Sequence, residues 1–340
     1  MNNMEYTVRS GIYGQIVGDA LGVPYEFLPR EDRDKDPCTT MVGYGSHQLP
    51  KGSWSDDSSM TLAGLDGLRI SLEKNRQEKK ISDIIDYEEV MMKYIRWYAL
   101  SEYTPYGFTW GVGFATDDAM NRYLNGTPPC ECGGTDERDN GNGSIMRMLP
   151  IAMFIHYMSK EHSFSIDEMM EIVHGFTSLT HGHLRSKMAC GTYVLIALEI
   201  LKNSENEEKE SLETLVDNGL TKAINYYYML DEFEEETPHF KRVYSRHIHN
   251  WSRDKINSGG YVLSTLEATV WCLLNNDNYC DSVLEAVNLG YDTDTTACVV
   301  GGLAGLYYGF DDIPKSWVDC IVECDFIDSL VTGFCDAVSF

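Results

Sequence analysis

The chain has 340 residues, of which 43% are hydrophobic and 11% aromatic, enough apolar side chains for a substantial core. Its 53 acidic and 27 basic residues give a formal net charge of −26, so its surface would repel nucleic-acid phosphates and anionic membranes. The first residues do not resemble a signal peptide, and no apolar stretch is long enough to span a bilayer. We therefore expect a cytoplasmic protein with reduced cysteines that binds neither nucleic acid nor membrane.

Helical periodicity dominates the sequence. The first predicted helix, 10–22, carries glycines at spacings of three and four residues, which places them on one face. Because glycine weakens a helix, this stripe predicts close approach by another helix, and the small residues of 301–305 predict a second tightly packed helix. The predicted helices cover 10–22, 55–72, 84–100, 146–158, 165–176, 183–202, 212–230, 262–275, 279–289 and 295–308.

No segment divides the chain convincingly into two domains. The polar stretch 203–210 is typical of a solvated connection, and the glycine-rich stretch 128–143 is typical of a loop. The segment 231–259 lacks a clear period and is predicted to be a long surface excursion. We predict a single compact all-α domain covering 1–340.

Two short acidic motifs are the best candidates for chemistry, WSDDS at 54–58 and DTDTT at 292–296. Each places two carboxylates beside hydroxyl groups at the predicted start of a helix. Helix capping accounts for one Asp in each motif but not for the second. If the motifs meet, four carboxylates would crowd one site, and divalent cations would neutralise them. Oxygen ligands favour Mg²⁺, Mn²⁺ or Ca²⁺, and two ions about 3.5–4 Å apart would form a binuclear centre.

Other kinds of catalytic site have weaker support in the sequence. The pair Cys130 and Cys132 has no second pair at zinc-finger spacing. The sequence after Gly143 lacks the second glycine of a nucleophile elbow, and no Gly-Lys-Ser/Thr phosphate loop is present.

With their neighbours, the acidic motifs belong to four blocks whose order resembles the ADP-ribosylglycohydrolase family. The blocks are GDALGVPYE at 18–26, WSDD at 54–57, DNGNGSIMR at 139–147 and LGYDTDT at 289–295. The segments 179–181 and 258–261 are also similar to family positions, so the resemblance covers nearly the whole chain. One departure is Tyr291, where the family often has a second glycine. This bulkier residue would narrow the cleft or change the choice of substrate.

The resemblance implies an orthogonal multi-helix all-α fold with two Mg²⁺ or Mn²⁺ ions. The implied metal ligands are carboxylates and hydroxyls, namely Ser55, Asp56, Asp57, Asp292, Asp294 and Thr295. Two acids are implied near the reaction, Glu26 beside the ions as a ligand or base and Asp139 near the scissile bond. The implied substrate-binding residues are Asn142 with Gly141, Gly143 and Ser144, flanked by His181 and Tyr261.

The resemblance thus implies a hydrolase that removes ADP-ribose from a modified side chain, with ADP-ribosyl-arginine on a protein as the first expectation. The transition state would resemble an oxocarbenium ion, and either implied acid would take a proton from the attacking water. The same site would also suit O-linked ADP-ribose on serine or a small ADP-ribosylated metabolite. Two alternatives of another class remain. One is a binding or structural protein on the same fold, and the other is an immunity protein that contacts an ADP-ribosylating toxin through 231–259.

Overall fold

The computed structural model describes residues 2–78 and 80–339. Its helices are α1 (Asn3–Gly22), α2 (Arg30–Lys35), α3 (Asp56–Asn75), α4 (Ile81–Ile84), α5 (Tyr87–Leu100), α6 (Phe114–Leu124), α7 (Leu149–Met158), α8 (Ile166–Ser178), α9 (Leu184–Asn203), α10 (Leu212–Tyr227), α11 (Lys241–Tyr244), α12 (Val262–Leu274), α13 (Tyr279–Asn288), α14 (Thr293–Tyr308), α15 (Lys315–Val318) and α16 (Cys324–Val338). Within those residues there are no β-strands, and extended pairing is limited to isolated bridges. The predicted all-α class is confirmed.

Helices α1 and α14 pack against each other in the centre of the molecule and are buried along most of their length. A Cβ atom added to Gly14 would overlap the carbonyl oxygen of Gly301, and one added to Gly18 would overlap that of Ala297. This approach requires helix faces without side chains. The predicted close packing of the two small-residue helices is therefore confirmed.

Helix α3 lies beside this central pair, and its first turn is buried. Ser55 is its N-cap, because the Ser55 hydroxyl accepts a hydrogen bond from the backbone N–H of Asp57 at 3.2 Å. The N-cap of α14 is Asp292. The acidic motifs thus lie at the N-terminal ends of two buried helices, where the helix dipole favours negative charge.

Several predicted boundaries differ from the structure. Helix α1 begins at Asn3, because the Asn2 side chain caps it by accepting from the backbone N–H of Glu5 at 2.8 Å. The residues 142–147, partly predicted as helix, form a 3₁₀ turn that precedes α7. Helices α6 and α16 were not among the predicted elements.

The segment 231–259 is not a simple surface excursion. It contains short helical turns, among them α11, and the side chains of Phe233, Phe240, Val243 and Ile248 are buried. Its irregular period arises because short turns, rather than one long helix, present these side chains to the core. No helix in the described part of the chain is both long and apolar enough to cross a membrane.

Candidate active site

The N-terminal ends of α3 and α14 bring the two acidic motifs together. Carboxylate oxygens of Asp19, Asp57 and Asp294 lie within 4.8 Å of one another. Oxygens of Glu26, Asp292 and Asp294 form a second group that meets the same distance. Asp294 belongs to both groups, so the first, second and fourth sequence blocks meet at one cluster of acids.

This cluster lies in the wall of a cavity of about 650 Å³. Most of the predicted site residues line that cavity, namely Glu26, Asp56, Asp57, Gly141, Asn142, Gly143, His181, Asp292, Asp294 and Thr295. Residues far apart in sequence thus converge on a single concave surface, which is the usual form of a small-molecule site.

The acids of the cluster are strongly disfavoured in their charged form. Burial, followed by the charge of Asp57, raises the pKa of Asp56 well above its usual range. Burial, followed by the charge of Glu26, does the same to the pKa of Asp294. Burial raises the pKa of Asp292 as well, although a hydrogen bond from Asn142 opposes the shift. Like charges in a buried site cannot all remain ionised without a compensating cation.

The donor set fits a hard divalent cation. Every candidate ligand atom is an oxygen, and Oδ1 of Asp57 is buried without a hydrogen-bond partner among the described residues. The Thr295 hydroxyl lies 3.4 Å from Oδ2 of the same Asp57 carboxylate. A buried carboxylate oxygen with no donor is costly unless a cation binds it. The cluster can therefore hold a metal ion.

Asp19 supports the cluster through the backbone. Its carboxylate accepts hydrogen bonds from the backbone N–H of Ser55 at 3.0 Å and of Ser58 at 3.1 Å, and from the Ser58 hydroxyl. Burial nevertheless raises the pKa of Asp19 to about 6. Asp19 therefore bonds to the backbone at the N-terminal end of α3.

The amide of Asn142 connects the third block to the fourth. Its Nδ2 donates to Oδ2 of Asp292 at 2.8 Å and to the Thr265 hydroxyl at 3.0 Å. The backbone N–H of Asn142 donates to the carbonyl of Gly260 at 3.0 Å. These bonds hold the loop around Asn142 against one wall of the cavity.

His181 is held by a chain of hydrogen bonds that fixes its protonation. Arg147 Nη2 donates to the Thr180 hydroxyl at 2.6 Å, and that hydroxyl lies 2.8 Å from His181 Nδ1. Since the hydroxyl accepts from Arg147, its own proton is available to Nδ1. Burial, followed by the charge of Arg147, lowers the pKa of His181 to about 3. The ring is therefore neutral, with its proton assigned to Nε2 on the edge beside Gly141 and Gly143.

Two predicted site residues, Ser55 and Asp139, do not line the cavity. Ser55 is buried, and its hydroxyl donates to Asp57 Oδ2 at 2.8 Å. Asp139 uses its Oδ2 to accept from the backbone N–H of Asp136 at 3.0 Å, closing a local capping box. The structure does not bring Asp139 to the cavity wall, because this local cap turns its carboxylate into its own loop.

Two predicted substrate-binding residues also lie outside the lining. The Ser144 hydroxyl is buried and donates to the carbonyl of Gly141 at 2.9 Å. The Tyr261 hydroxyl accepts from Arg185 Nη1 at 3.1 Å, and an isolated bridge pairs Tyr261 with Gly141. Both residues thus contact the loop at Gly141.

The sequence did not reveal several residues at the cavity. His47 forms a short hydrogen bond with the Glu26 carboxylate, and its ring lies 4.6 Å from that of Trp110. Phe27 and Phe114 line the mouth with exposed rings. The glycines at 111 and 113 indicate a loop that ends at the start of α6, so the sequence could have indicated an exposed position for Phe114. No local sequence pattern connects His47 with Glu26.

Comparison with known proteins identifies the family. A family model described as ADP-ribosylglycohydrolase matches residues 2–339. The chain therefore belongs to the ADP-ribosylglycohydrolase family, and both the resemblance and the enzyme class predicted from sequence are confirmed.

Individual relatives cover most of the chain. ADP-ribosylarginine hydrolase Tri1 of Serratia proteamaculans is 30% identical over 95% of this chain and 77% of that protein. The Tri1 protein of Pseudomonas putida is 31% identical over 96% of this chain and 77% of that protein. ADP-ribosyl-[dinitrogen reductase] glycohydrolase of Rhodospirillum rubrum is 25% identical over 90% of this chain and 86% of that protein. A solved ADP-ribosylglycohydrolase-related protein complex has a TM-score of 0.71 at 24% identity and full coverage of both chains, which shows the shared fold.

Proposed function

We propose that this protein is a metal-dependent hydrolase that releases ADP-ribose from ADP-ribosylated arginine on a protein. The observation that carries the proposal is the meeting of Glu26 with the acid pairs of α3 and α14 in one cavity. Two relatives that cover most of the chain are named as ADP-ribosylarginine hydrolases, which supports arginine as the modified residue.

In this proposal two Mg²⁺ or Mn²⁺ ions bind the cluster. Their ligands are the carboxylates and hydroxyls of the two motifs, namely Ser55, Asp56, Asp57, Asp292, Asp294 and Thr295. The support is the all-oxygen donor set, the raised pKa values of the buried acids and the unpartnered Oδ1 of Asp57. Bound cations of this kind orient hydroxyl groups of a sugar and lower the pKa of a water molecule.

We assign the general base to Glu26 rather than Asp139. Glu26 lines the cavity beside the acid pairs, and its short hydrogen bond with His47 holds the carboxylate in place. Asp139 is engaged in its local cap. Glu26 would take the proton of the attacking water as the bond from the ribose anomeric carbon to the guanidinium nitrogen breaks.

The remaining wall of the cavity binds ADP-ribose in this proposal. Gly141 and Gly143 let the ligand approach the backbone of the loop, and Asn142 is held by Asp292. His181 donates from Nε2 to an oxygen of the ligand, since its Nδ1 is already satisfied by Thr180. Ser144 and Tyr261 act indirectly, by holding the loop at Gly141.

The test is release of free ADP-ribose from an ADP-ribosyl-arginine protein with Mg²⁺, with Mn²⁺ and with EDTA. We expect release that requires metal, and a loss of at least about 100-fold in Asp56→Asn and Asp294→Asn. Asp319→Asn is a matched control, because Asp319 is a solvent-facing acid paired with Lys315.

Three other outcomes would each contradict a different part of the proposed function. Release from a serine-linked conjugate alone would move the substrate to O-linked ADP-ribose. Binding of ADP-ribose without release from any conjugate would leave a binding protein. Release that is unchanged in EDTA and in both Asn variants would remove the metal ions from the proposal.

A further inference from the structure

Two exposed aromatic residues at the cavity mouth have an unusual backbone. Phe27 is 72% exposed and Tyr291 is 46% exposed, and both line the cavity. Their φ angles are 67° and 62°, in the left-handed region that bulky side chains rarely adopt. Such backbone strain persists only when surrounding structure enforces it, and it is concentrated at functional sites. The Phe27 ring lies 5.8 Å from the His47 ring. Exposed rings otherwise gain little packing energy to offset the strain, so their positions need another explanation.

The backbone holds these two residues side by side. The N–H of Phe27 donates to the carbonyl of Tyr291 at 2.6 Å, and the N–H of Tyr291 donates to the carbonyl of Leu28 at 2.7 Å. Gly290, with φ of 80°, lies against the backbone segment that follows Phe27. A Cβ added to Gly290 would be 2.7 Å from the backbone nitrogen of Arg30. The two rings are therefore fixed at one edge of the mouth rather than carried on independent loops.

The chain neighbours of both aromatic residues are acids of the cluster. Phe27 follows Glu26, and Tyr291 precedes Asp292. The rings thus stand next to the place where, in the proposed function, the anomeric carbon and its leaving group are held. Aromatic faces beside carboxylates favour a flat cation, and the guanidinium group stacks on aromatic rings as well as pairing with acids. A serine oxygen offers neither a flat surface nor a charge.

Tyr291 also lines an adjoining groove of about 620 Å³, whose charged residues are Arg30, Glu31, Asp34 and Asp254. Tyr291 therefore stands between the ligand cavity and the outer surface that a protein substrate would meet. A side chain entering from that surface would pass the ring before it reached the acids.

We propose that Phe27 and Tyr291 form an aromatic clamp, defined as this pair, that stacks on the guanidinium group of the modified arginine. The clamp makes the enzyme favour arginine-linked over serine-linked ADP-ribose. This inference rests on the proposed function, because it assigns the leaving-group side of the same site.

The variants Tyr291→Gly and Phe27→Gly test the clamp. Glycine adopts positive φ at little cost, so both variants should fold with a melting temperature no lower than that of the wild-type protein. We expect kcat/KM for the arginine-linked substrate to fall about 3- to 30-fold, mainly through KM. In Tyr291→Gly the Kd for free ADP-ribose and the rate on a serine-linked conjugate should stay the same, and Tyr291→Phe should retain most of the arginine preference.

Tyr228→Ala is the control. Tyr228 is also an exposed aromatic residue, at 54% exposure, but it does not line the cavity. Its kinetic constants should not change. The clamp is overturned if Tyr291→Gly and Phe27→Gly leave kcat/KM for the arginine-linked substrate unchanged. It is also overturned if they weaken the binding of free ADP-ribose by the same factor as they lower that kcat/KM. A wild-type protein with no activity on the arginine-linked substrate would instead overturn the proposed function, and the clamp with it.

Discussion

The carboxylate of Asp19, near the end of α1, accepts a hydrogen bond from the backbone N–H of Ser55 at 3.0 Å, at the start of α3. A second backbone donor, Ser58, lies 3.1 Å from the same carboxylate. Asp19 therefore satisfies N–H groups that the first turn of α3 leaves without helical partners. It also fixes the direction in which Asp56 and Asp57 leave the turn.

We expect Asp19→Asn to lower the free energy of unfolding by about 1–3 kcal/mol, because an amide N–H₂ would face backbone donors in a buried place. The variant should also bind Mn²⁺ more weakly, since the acid pair would lose its fixed position. Urea denaturation and Mn²⁺ titration measure the two effects. Asp319→Asn, on the surface, should change neither. If Asp19→Asn were as stable as the wild-type protein and bound Mn²⁺ with normal affinity, Asp19 would not support the first turn of α3 in this way.

The contact between α1 and α14 gives a prediction about stability alone. In Gly18→Ala, the new methyl group would overlap the backbone carbonyl of Ala297, which cannot rotate away as a side chain could. We expect a loss of about 3 kcal/mol or more in the free energy of unfolding, near the upper end for overpacked cores. Gly259→Ala is the control, because an added Cβ there has nothing within 4 Å. Equal stability of the two variants would show that the helices separate easily.

Local sequence patterns predicted the central helices and the acid cluster because their signals are contiguous. The acid pairs lie within five residues of chain each, and the glycine stripe of α1 repeats at helical spacing. Helix α16 also has an apolar face, with Ile327, Val331 and Phe334 buried. The periodic apolar pattern of α16 is thus visible in the sequence, although the predicted helices end at 308.

Other features of the site depend on contacts between distant segments. The bond between His47 and Glu26 requires residues 44–49 to fold back against 24–28, and neither segment has a periodic pattern. The left-handed backbone of Phe27 and Tyr291 could not be predicted either, since such residues seldom adopt it. The Asp139 carboxylate matched a family block, but its own loop supplied a competing donor.

The raised pKa values predict how stability varies with pH when metal is removed. Burial raises the pKa of Asp57 well above its usual range and that of Asp19 to about 6. A carboxylate with a higher pKa in the folded state binds its proton more tightly there, so stability falls as pH rises from about 4 through the folded values. In EDTA we expect a lower melting temperature at about pH 7.5 than at about pH 5.5. Mg²⁺ or Mn²⁺ should reverse most of the decrease.

A variant separates this local effect from the net charge of −26, which also disfavours the folded state at high pH. Asp57→Asn removes one buried acid, so its melting temperature in EDTA should depend less on pH than that of the wild-type protein. Its rise in melting temperature on adding metal should also be smaller. Identical pH profiles, measured by scanning calorimetry, would mean that the cluster does not carry the dependence.

The hydrogen-bond chain from Arg147 through Thr180 to His181 predicts an observable protonation state. The Thr180 hydroxyl is 2.6 Å from Arg147 Nη2 and 2.8 Å from His181 Nδ1. In ¹⁵N spectra of the imidazole ring, we expect Nδ1 to accept a hydrogen bond and Nε2 to carry the proton. Thr180→Val removes the hydroxyl, so the two nitrogens should then share the proton between tautomers.

The same variant should weaken ADP-ribose binding, because a fraction of the molecules would present Nε2 without a proton. Loss of one such hydrogen bond corresponds to about a tenfold rise in Kd, measured by calorimetry. Thr180→Ser keeps the hydroxyl and should keep both the tautomer and the affinity. Normal ADP-ribose binding by Thr180→Val, together with a changed tautomer of the His181 ring, would show that His181 does not donate to the ligand. The loop formed by Gly141, Asn142 and Gly143 would then have to supply the donors.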